Sequence, residues 1–410
     1  MSEVLGIVAE YNPFHNGHLY HLQKTKELTG AKYTVCVMSG NFVQRGNTSI
    51  VNKWTKAQMA LANGVDLVLE LPTVYSVASA ENFAMGAVRL LENLKVVDTI
   101  SFGTETSDFA ALNNIATILT EEPKEYTNFL KEELKKGVSF PKARESALIK
   151  YINDDVRYKN ILNNPNNILG VEYLKALKAN KSTITPIAIK REKVYYNDNK
   201  IVDDFASATA IRKMLLDKDF QGLIKVVPRE CYNILSKEYE VGNIVFDIQR
   251  FEKEIFYTLR KMTITEISEL PDVSEGLENT IKNAANFCNN IFDFINMVKT
   301  KRYTQTRIQR ILLFALLGIT KKDVQVSKRV VPYARVLGFN EKGKLLLSGI
   351  AQNNPKMEVI TSVKKFLDNN TNKIYKRMLD IDIFATDVYT LGYRGDSMAN
   401  LDYTKNMIMK

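Results

Sequence analysis

Five short apolar runs, each closed by glycine, proline or a polar residue, punctuate the first half of the chain. They are VLGIVAE (4–10), YTVCVMSG (33–40), VDLVLELP (65–72), VDTISFGTE (97–105) and STITPIAIK (182–190). Helical patterns lie between them, among them GHLYHLQKTKEL and NKWTKAQMALANG, the second closed by Gly64 as a C-cap. Strands alternating with helices form βαβ units, so the expected class is α/β, a parallel sheet with helices on both faces. Near-continuous Val, Ile and Leu fits strands buried on both sides. From about 106 to 180 the pattern turns mainly helical and reads as an insertion packed near the ligand edge of the sheet.

At 410 residues the chain exceeds one typical domain. After about residue 220 strand signals are scarce. CYNILSKEYE, FEKEIFYTLRKM, ENTIKNAANFCNNIFDFINMVKT and TRIQRILLFALLGIT carry apolar residues at three- and four-residue spacing, which predicts a mainly helical second half. Pro228 opens a new helix, so a boundary is expected near DKDFQGLIKVVPRE, with domains over 1–220 and 221–410. ARVLGFNEKGKLLLSGIAQ and MEVITSVKKFL stay open between strand and helix.

The formal net charge of +10 is unevenly placed. The first hundred residues carry eight Lys or Arg against eight Asp or Glu, whereas Lys299 to Lys344 carry twelve bases against two acids. Such a local excess is the footprint of a polyanion-binding surface, the alternative being a solvated lysine-rich face. Three cysteines, odd in number and far apart, argue for a reducing compartment rather than a disulfide framework. The N-terminus has no basic run, and no apolar stretch reaches the ~18 residues of a membrane span. A cytoplasmic protein without membrane contact is expected.

All three histidines fall within EYNPFHNGHLYHLQ (10–23), just after the first strand. In an open α/β sheet ligands bind beyond the carboxyl ends of the strands, where a loop feeds a helix N-terminus. Asn12-Pro13 turns the chain there, Gly17 allows close backbone approach, and the next helix offers free N–H groups to an anion. His15 and His18 would flank that anion, and two imidazole donors suit the extra charge of a pentacoordinate phosphorus. The His-x-x-His-x-x-His spacing also admits zinc, although no Cys or acidic cluster completes a shell. His21, one turn beyond His18, reads equally well as a satisfied surface histidine.

HNGH (15–18) resembles the His-x-Gly-His signature of the nucleotidyltransferase superfamily, and ASATAIR (206–212) partly matches its second motif, Ile-Ser-Ser-Thr-x-Ile-Arg. Ser207, Thr209 and Arg212 are kept, while Ala206 and Ala208 replace an Ile and a Ser. Thr209 is expected to cap its helix, and the hydroxyls and arginine to hold the leaving phosphates. GIVAEYNPFHNGHLYHL, VMSGNFVQRG, QMALANGVDLVLELP, SFGTE, PNNILG, IKRE and FASATAIR, in that order, are similar to the bacterial tRNA(Met) cytidine acetate ligases, as is KTKRYTQTRIQRILL further on.

This resemblance implies a Rossmann-like nucleotidyltransferase domain followed by a helical, tRNA-binding one. It implies that ATP and acetate form acetyl-adenylate and pyrophosphate, and that the acetyl group then passes to the wobble cytidine of elongator tRNA(Met). By the family pattern the loop Val8, Ala9, Glu10, Tyr11, Asn12, Pro13, Phe14, His15, Asn16, Gly17, His18, Leu19, Tyr20 and His21 wraps the ATP, joined by Gly103, Asn166, Arg191 and Ser207. His15, His18, Thr209 and Arg212 take the catalytic roles. Mg²⁺ is expected on the triphosphate, held by phosphates and water rather than by a protein metal site. No obligate protein partner is evident. A small-molecule adenylyltransferase, which would leave AMP on its product, is the runner-up, and a non-catalytic RNA-binding protein the third reading.

A cytidine must leave its stack to reach the pocket, which calls for a surface that grips the RNA backbone. Lys299, Lys301, Arg302, Arg307 and Arg310, with Tyr303 for stacking, are the candidates, Arg307 and Arg310 sharing a helix face. KRVVPYAR adds Lys328, Arg329 and Arg335 with Tyr333. Asn41, Gln44 and Arg45 leave the second strand near the same edge and are expected to contact acetate or substrate.

Overall fold

The computed structural model describes residues 3–153, 155, 157–158, 161–191 and 204–410. Glu192 of the IKRE string lies outside them. The strands are β1 (Val4–Ala9), β2 (Tyr33–Ser39), β3 (Phe42–Val43), β4 (Asn47–Thr48), β5 (Leu67–Leu71), β6 (Thr99–Thr104), β7 (Thr185–Lys190), β8 (Ala334–Phe339), β9 (Val359–Ile360) and β10 (Ile408–Met409). The main sheet runs β10-β8-β5-β2-β1-β6-β7, with β9 also paired to β8, while β3 and β4 form a separate hairpin. All five runs read from the sequence are strands, and β5, β2, β1, β6 and β7 pair in parallel.

Both faces of this sheet are covered, which is why its strands look continuously apolar. Val35, Val37, Leu67 and Leu69 face one core, with Leu90, Leu91, Val171 and Leu174 of helices Ala80–Leu94 and Pro165–Ala179. The alternate residues Leu5, Ile7, Cys36, Met38 and Val68 face the other, with Leu22, Ala57, Ala60, Ile211 and Leu215. Successive strand side chains point to opposite faces, so a single run serves two cores.

The expected break near residue 220 does not separate two cores. Helix Arg229–Glu240 buries Cys231 and Leu235 in the same cluster as β1, and Val245 N–H donates to Ile50 O at 3.0 Å. The second half is mainly helical, yet ARVLGF resolves to β8, which pairs antiparallel to β5 and carries β9 and β10. The chain thus returns to extend the sheet started by its first seventy residues. Residues 109–121, 124–135, 140–151 and 165–179 are helical.

A buried ion cluster fastens this return. Lys53 Nζ meets Glu70 at 3.0 Å and Asp402 at 2.7 Å, and Arg335 pairs with the same two carboxylates. Tyr333 donates to Asp382, which also accepts Thr73 N–H at 2.7 Å. Tyr333 and Arg335, expected to stack on and grip RNA, are therefore interior residues. Two cations and two anions are paired in one buried cluster there, which offsets a desolvation cost that an isolated buried charge would carry alone.

Candidate active site

His15 is the N-cap of helix Asn16–Thr29, where its Nδ1 accepts Gly17 N–H at 3.1 Å. His18, three residues on, returns the bond: its Nδ1 accepts His15 N–H at 3.3 Å. A capping box made of two imidazoles has a chemical consequence. Each ring accepts at Nδ1, so each neutral ring carries its proton on Nε2 and presents that N–H as a donor. The rings stack with centroids 3.7 Å apart.

Gly17 is what permits this arrangement. A Cβ there would come 2.9 Å from Cε1 of His15, so any other residue would push the ring away. The preceding loop is equally constrained. Tyr11 has φ +43°, an uncommon conformation for a bulky residue, and packs edge-on against Phe14 and His18 at 4.7 and 4.9 Å. Asn12 pins the loop to the neighbouring segment: its Nδ2 donates to Thr48 O at 3.0 Å and its Oδ1 accepts Ile50 N–H at 2.7 Å.

Burial first, then the charges of Arg191 and Arg212, push His15 down to about 3. Burial, with His15, Arg191 and His21 behind it, holds His18 well below the ordinary histidine range. Burial and Arg191 push His21 down to about 4. All three rings are neutral at physiological pH. His21 serves the fold. Its Nε2 lies 2.9 Å from Ser101 Oγ, which lies 2.8 Å from Thr25 Oγ1. Thr25 donates to His21 O at 2.8 Å, so the chain of hydroxyls ties the helix to β6. His21 is half-buried with its ring partnered by Ser101, and no group of three or more His, Cys, Asp or Glu able to hold a metal occurs among the described residues.

Helix Ala208–Leu216 begins beside this loop. Its cap is Ser207, whose hydroxyl accepts Ala210 N–H at 3.1 Å, and not the expected Thr209. Ser207 has the extended backbone a cap requires, whereas Thr209 already lies inside the first turn and is exposed. Arg212 donates to Asn12 O at 2.9 Å and to Thr209 Oγ1 at 3.1 Å, which brings the two motifs into one site. On the other flank the stem of Arg191 lies over Gly103. Asn166 donates to Glu105 Oε1 at 2.6 Å, and the same carboxylate accepts the N–H groups of Asn166 and Asn167.

Lys56 escaped the sequence reading. Buried on the inner face of helix Lys53–Ala62, its Nζ donates to Glu10 O, Ser39 O and Gly40 O at 3.0, 2.8 and 2.8 Å. Burial pushes it down to about 7, with the carboxylates of Glu10 and Glu70 opposing. Three carbonyl oxygens match the three protons of an ammonium. A legible hint existed: Lys53 and Lys56 share the apolar face of an amphipathic helix.

The β3–β4 hairpin links this site to the basic segment. Gln44 N–H donates to Glu10 Oε1 at 2.8 Å, and Gln44 Nε2 to Ala78 O at 3.0 Å. Gly46, at φ +75°, lies so close to helix Gln305–Leu317 that a Cβ would meet Arg310 N at 2.4 Å. Arg45 is half-buried between them. Asn41 is turned inward instead, with Nδ2 on Thr386 Oγ1 at 3.2 Å and Oδ1 accepting Lys53 N–H at 2.8 Å, so its side chain shapes the hairpin rather than facing a ligand.

The basic residues divide by role. Lys299 and Lys301 are exposed and have no side-chain partner among the described residues. Arg302 pairs with Glu275 at the surface, and Tyr303 donates to Ser274 O at 3.1 Å while Arg307 lies 4.9 Å over its ring. Arg310 is buried and bound to Asp272 at 3.1 Å, so it does not share a phosphate-tracking face with Arg307 as expected. Arg307 itself donates to Asp272 O at 2.9 Å.

Residues 2–403 match the family described as HIGH Nucleotidyl Transferase. The tRNA(Met) cytidine acetate ligase of Thermoanaerobacter sp. (strain X514) is 48% identical over 99% of both chains. That of Acetivibrio thermocellus is 44% identical over 99% of this chain and 100% of its own. The chain belongs to the tRNA(Met) cytidine acetate ligase family of HIGH nucleotidyl transferases. Crystal structures agree: apo Thermotoga maritima TmcAL superposes with a TM-score of 0.95 at 36% identity, covering 99% of each chain. The same protein bound with alpha-thio ATP superposes at 0.93, with the same identity and coverage. No helix among the described residues is long and apolar enough to cross a membrane.

Proposed function

We propose that the chain activates acetate with ATP as acetyl-adenylate and transfers the acetyl group to N4 of the wobble cytidine of elongator tRNA(Met), working in the cytoplasm without an obligate protein partner. The observation that carries this reading is the pair of neutral imidazoles, both fixed as Nε2–H donors at a helix N-terminus and flanked by Arg191 and Arg212. The acetate carboxylate attacks the α-phosphorus, and charge grows on the phosphoryl oxygens as pyrophosphate departs. Donors already in place need no rearrangement at that moment, which is where electrostatic stabilisation is strongest. Ser207, Thr209 and Arg212 hold the departing pyrophosphate, while the loop Val8–His21, Gly103, Asn166 and Arg191 hold the nucleotide.

Mg²⁺ enters with the triphosphate. No group of three or more His, Cys, Asp or Glu able to hold a metal occurs among the described residues; the ion would be held by phosphate oxygens and water and would offset charge on the departing pyrophosphate. In the second step the cytidine amine attacks the acyl carbon and AMP leaves. Lys299, Lys301, Arg302, Tyr303 and Arg307 lie on the segment that the hairpin of Gln44 and Arg45 joins to the site, which supports their gripping the tRNA. Mass spectrometry of nucleosides from elongator tRNA(Met) after incubation with ATP and isotopically labelled acetate tests the reading. Labelled N4-acetylcytidine supports it. AMP attached to a small acceptor, with no acetate dependence, makes the chain an adenylyltransferase instead.

A further inference from the structure

The amine of cytidine is a poor nucleophile because its lone pair is shared with the ring, so a base must take its proton as the new bond forms. The imidazoles do not serve. His15 and His18 have Nδ1 occupied by main-chain N–H groups and Nε2 already protonated, and burial, with Arg191 beside both rings, opposes a second proton. Glu105 has both oxygens engaged at the start of helix Pro165–Ala179. Asp247 caps the turn at Gln249 and feels Arg212, which places it with the pyrophosphate-holding group.

In-line displacement puts acetate, and then the acyl carbon, on the side of the phosphorus away from Ser207, Thr209 and Arg212. One carboxylate of the histidine loop stands outside that group. Glu10, at the carboxyl end of β1, is half-exposed, and its Oε1 accepts Gln44 N–H at 2.8 Å. Its Oε2 has no partner among the described residues, and its main chain is clamped by Lys56. The next residue, Tyr11, packs on His18.

We propose that Glu10 is the carboxylate that receives the cytidine amine and takes its proton during acetyl transfer, an inference that rests on the acetate ligase reading above. Carboxylates accept from the cytosine amine in other recognition settings, so the same contact selects cytosine. In the step itself the N4–C bond forms and the bond from the acyl carbon to the AMP oxygen breaks. Its electron pair leaves with AMP, and the N4 proton passes to Glu10 Oε2 and on to water.

Glu10→Gln keeps an oxygen for Gln44 N–H and removes the base. Two rates are read on the full chain: acetate-dependent exchange of pyrophosphate into ATP, and single-turnover acetylation of an elongator tRNA(Met) transcript from preformed acetyl-adenylate. The ratio of transfer to exchange is expected to fall by about 10²- to 10⁴-fold, the range of general base catalysis, with Glu10→Asp recovering part of it. A ratio equal to that of the wild type overturns the assignment, whether both rates stay or fall together. Wild-type protein that shows no acetate-dependent exchange overturns the acetate reading and this inference with it.

Discussion

The rings of His15 and His18 lie nearly parallel, 28° apart, and each accepts a main-chain N–H at Nδ1 from its own helix start. Burial keeps the pair neutral and the capping bonds set the tautomer, so both Nε2–H groups, which have no hydrogen-bond partner among the described residues, can act on a ligand. The motif owes its rigidity to the same bonds that set its tautomer.

Acid sensitivity follows from this burial. The unfolded chain protonates histidines near the ordinary value of about 6.5, whereas the folded values are depressed, to about 3 for His15 and about 4 for His21. Stability is therefore full above about pH 6.5 and falls as pH drops toward the folded values, because the unfolded state binds protons the native state refuses. Each histidine contributes a slope of up to about 1.4 kcal/mol per pH unit in that window. Denaturant midpoints between pH 7.5 and 5 measure it. His21→Gln should remove one proton from the slope, and an unchanged slope would contradict neutral burial.

Gly17→Ala tests the cradle without touching a charged group. The added Cβ meets the His15 ring at 2.9 Å, so the ring shifts while the helix stays formed. Misplacement of a catalytic group on this scale costs about 10²-fold in rate, read here as acetate-dependent pyrophosphate exchange with the circular dichroism spectrum preserved.

Lys53→Met breaks the buried cluster from one side. Glu70 and Asp402 would then share Arg335 alone, and removal of one partner from a buried pair costs about 3–5 kcal/mol. Equilibrium denaturation checks the value. A loss under about 1 kcal/mol, the size of a surface pair, would mean the cluster is wet.

The parallel strands were legible because each run is apolar on both faces, and Leu5 and Ile7 need no partner in sequence to look buried. β8 was not, since its partner β5 lies in the opposite half of the chain, and two-residue strands such as β9 and β10 carry no periodicity at all. The histidine site could be read because its residues are contiguous. The contacts of Lys56 and the Glu10 side chain could not, because they come from Ser39, Gly40 and Gln44 folding back on them. Arg335 and Arg310 were misread for a related reason: a lysine-rich string does not show which of its cations folds inward onto a carboxylate from elsewhere in the chain.

Charge reversal separates those two kinds of cation. Lys299→Glu with Lys301→Glu should weaken binding of elongator tRNA(Met) and lower the slope of log affinity against log salt by about 0.7–0.9 for each phosphate no longer neutralised. Arg310→Ala should instead destabilise the fold and leave that slope intact. Salt titrations of tRNA affinity distinguish the outcomes.

Acetate-dependent exchange of labelled pyrophosphate into ATP by His18→Ala, compared with wild type, reads the paired donors most directly. Removing one preorganised donor from the growing charge should slow exchange by about 10²- to 10³-fold while ATP still binds. Exchange at the wild-type rate would contradict it.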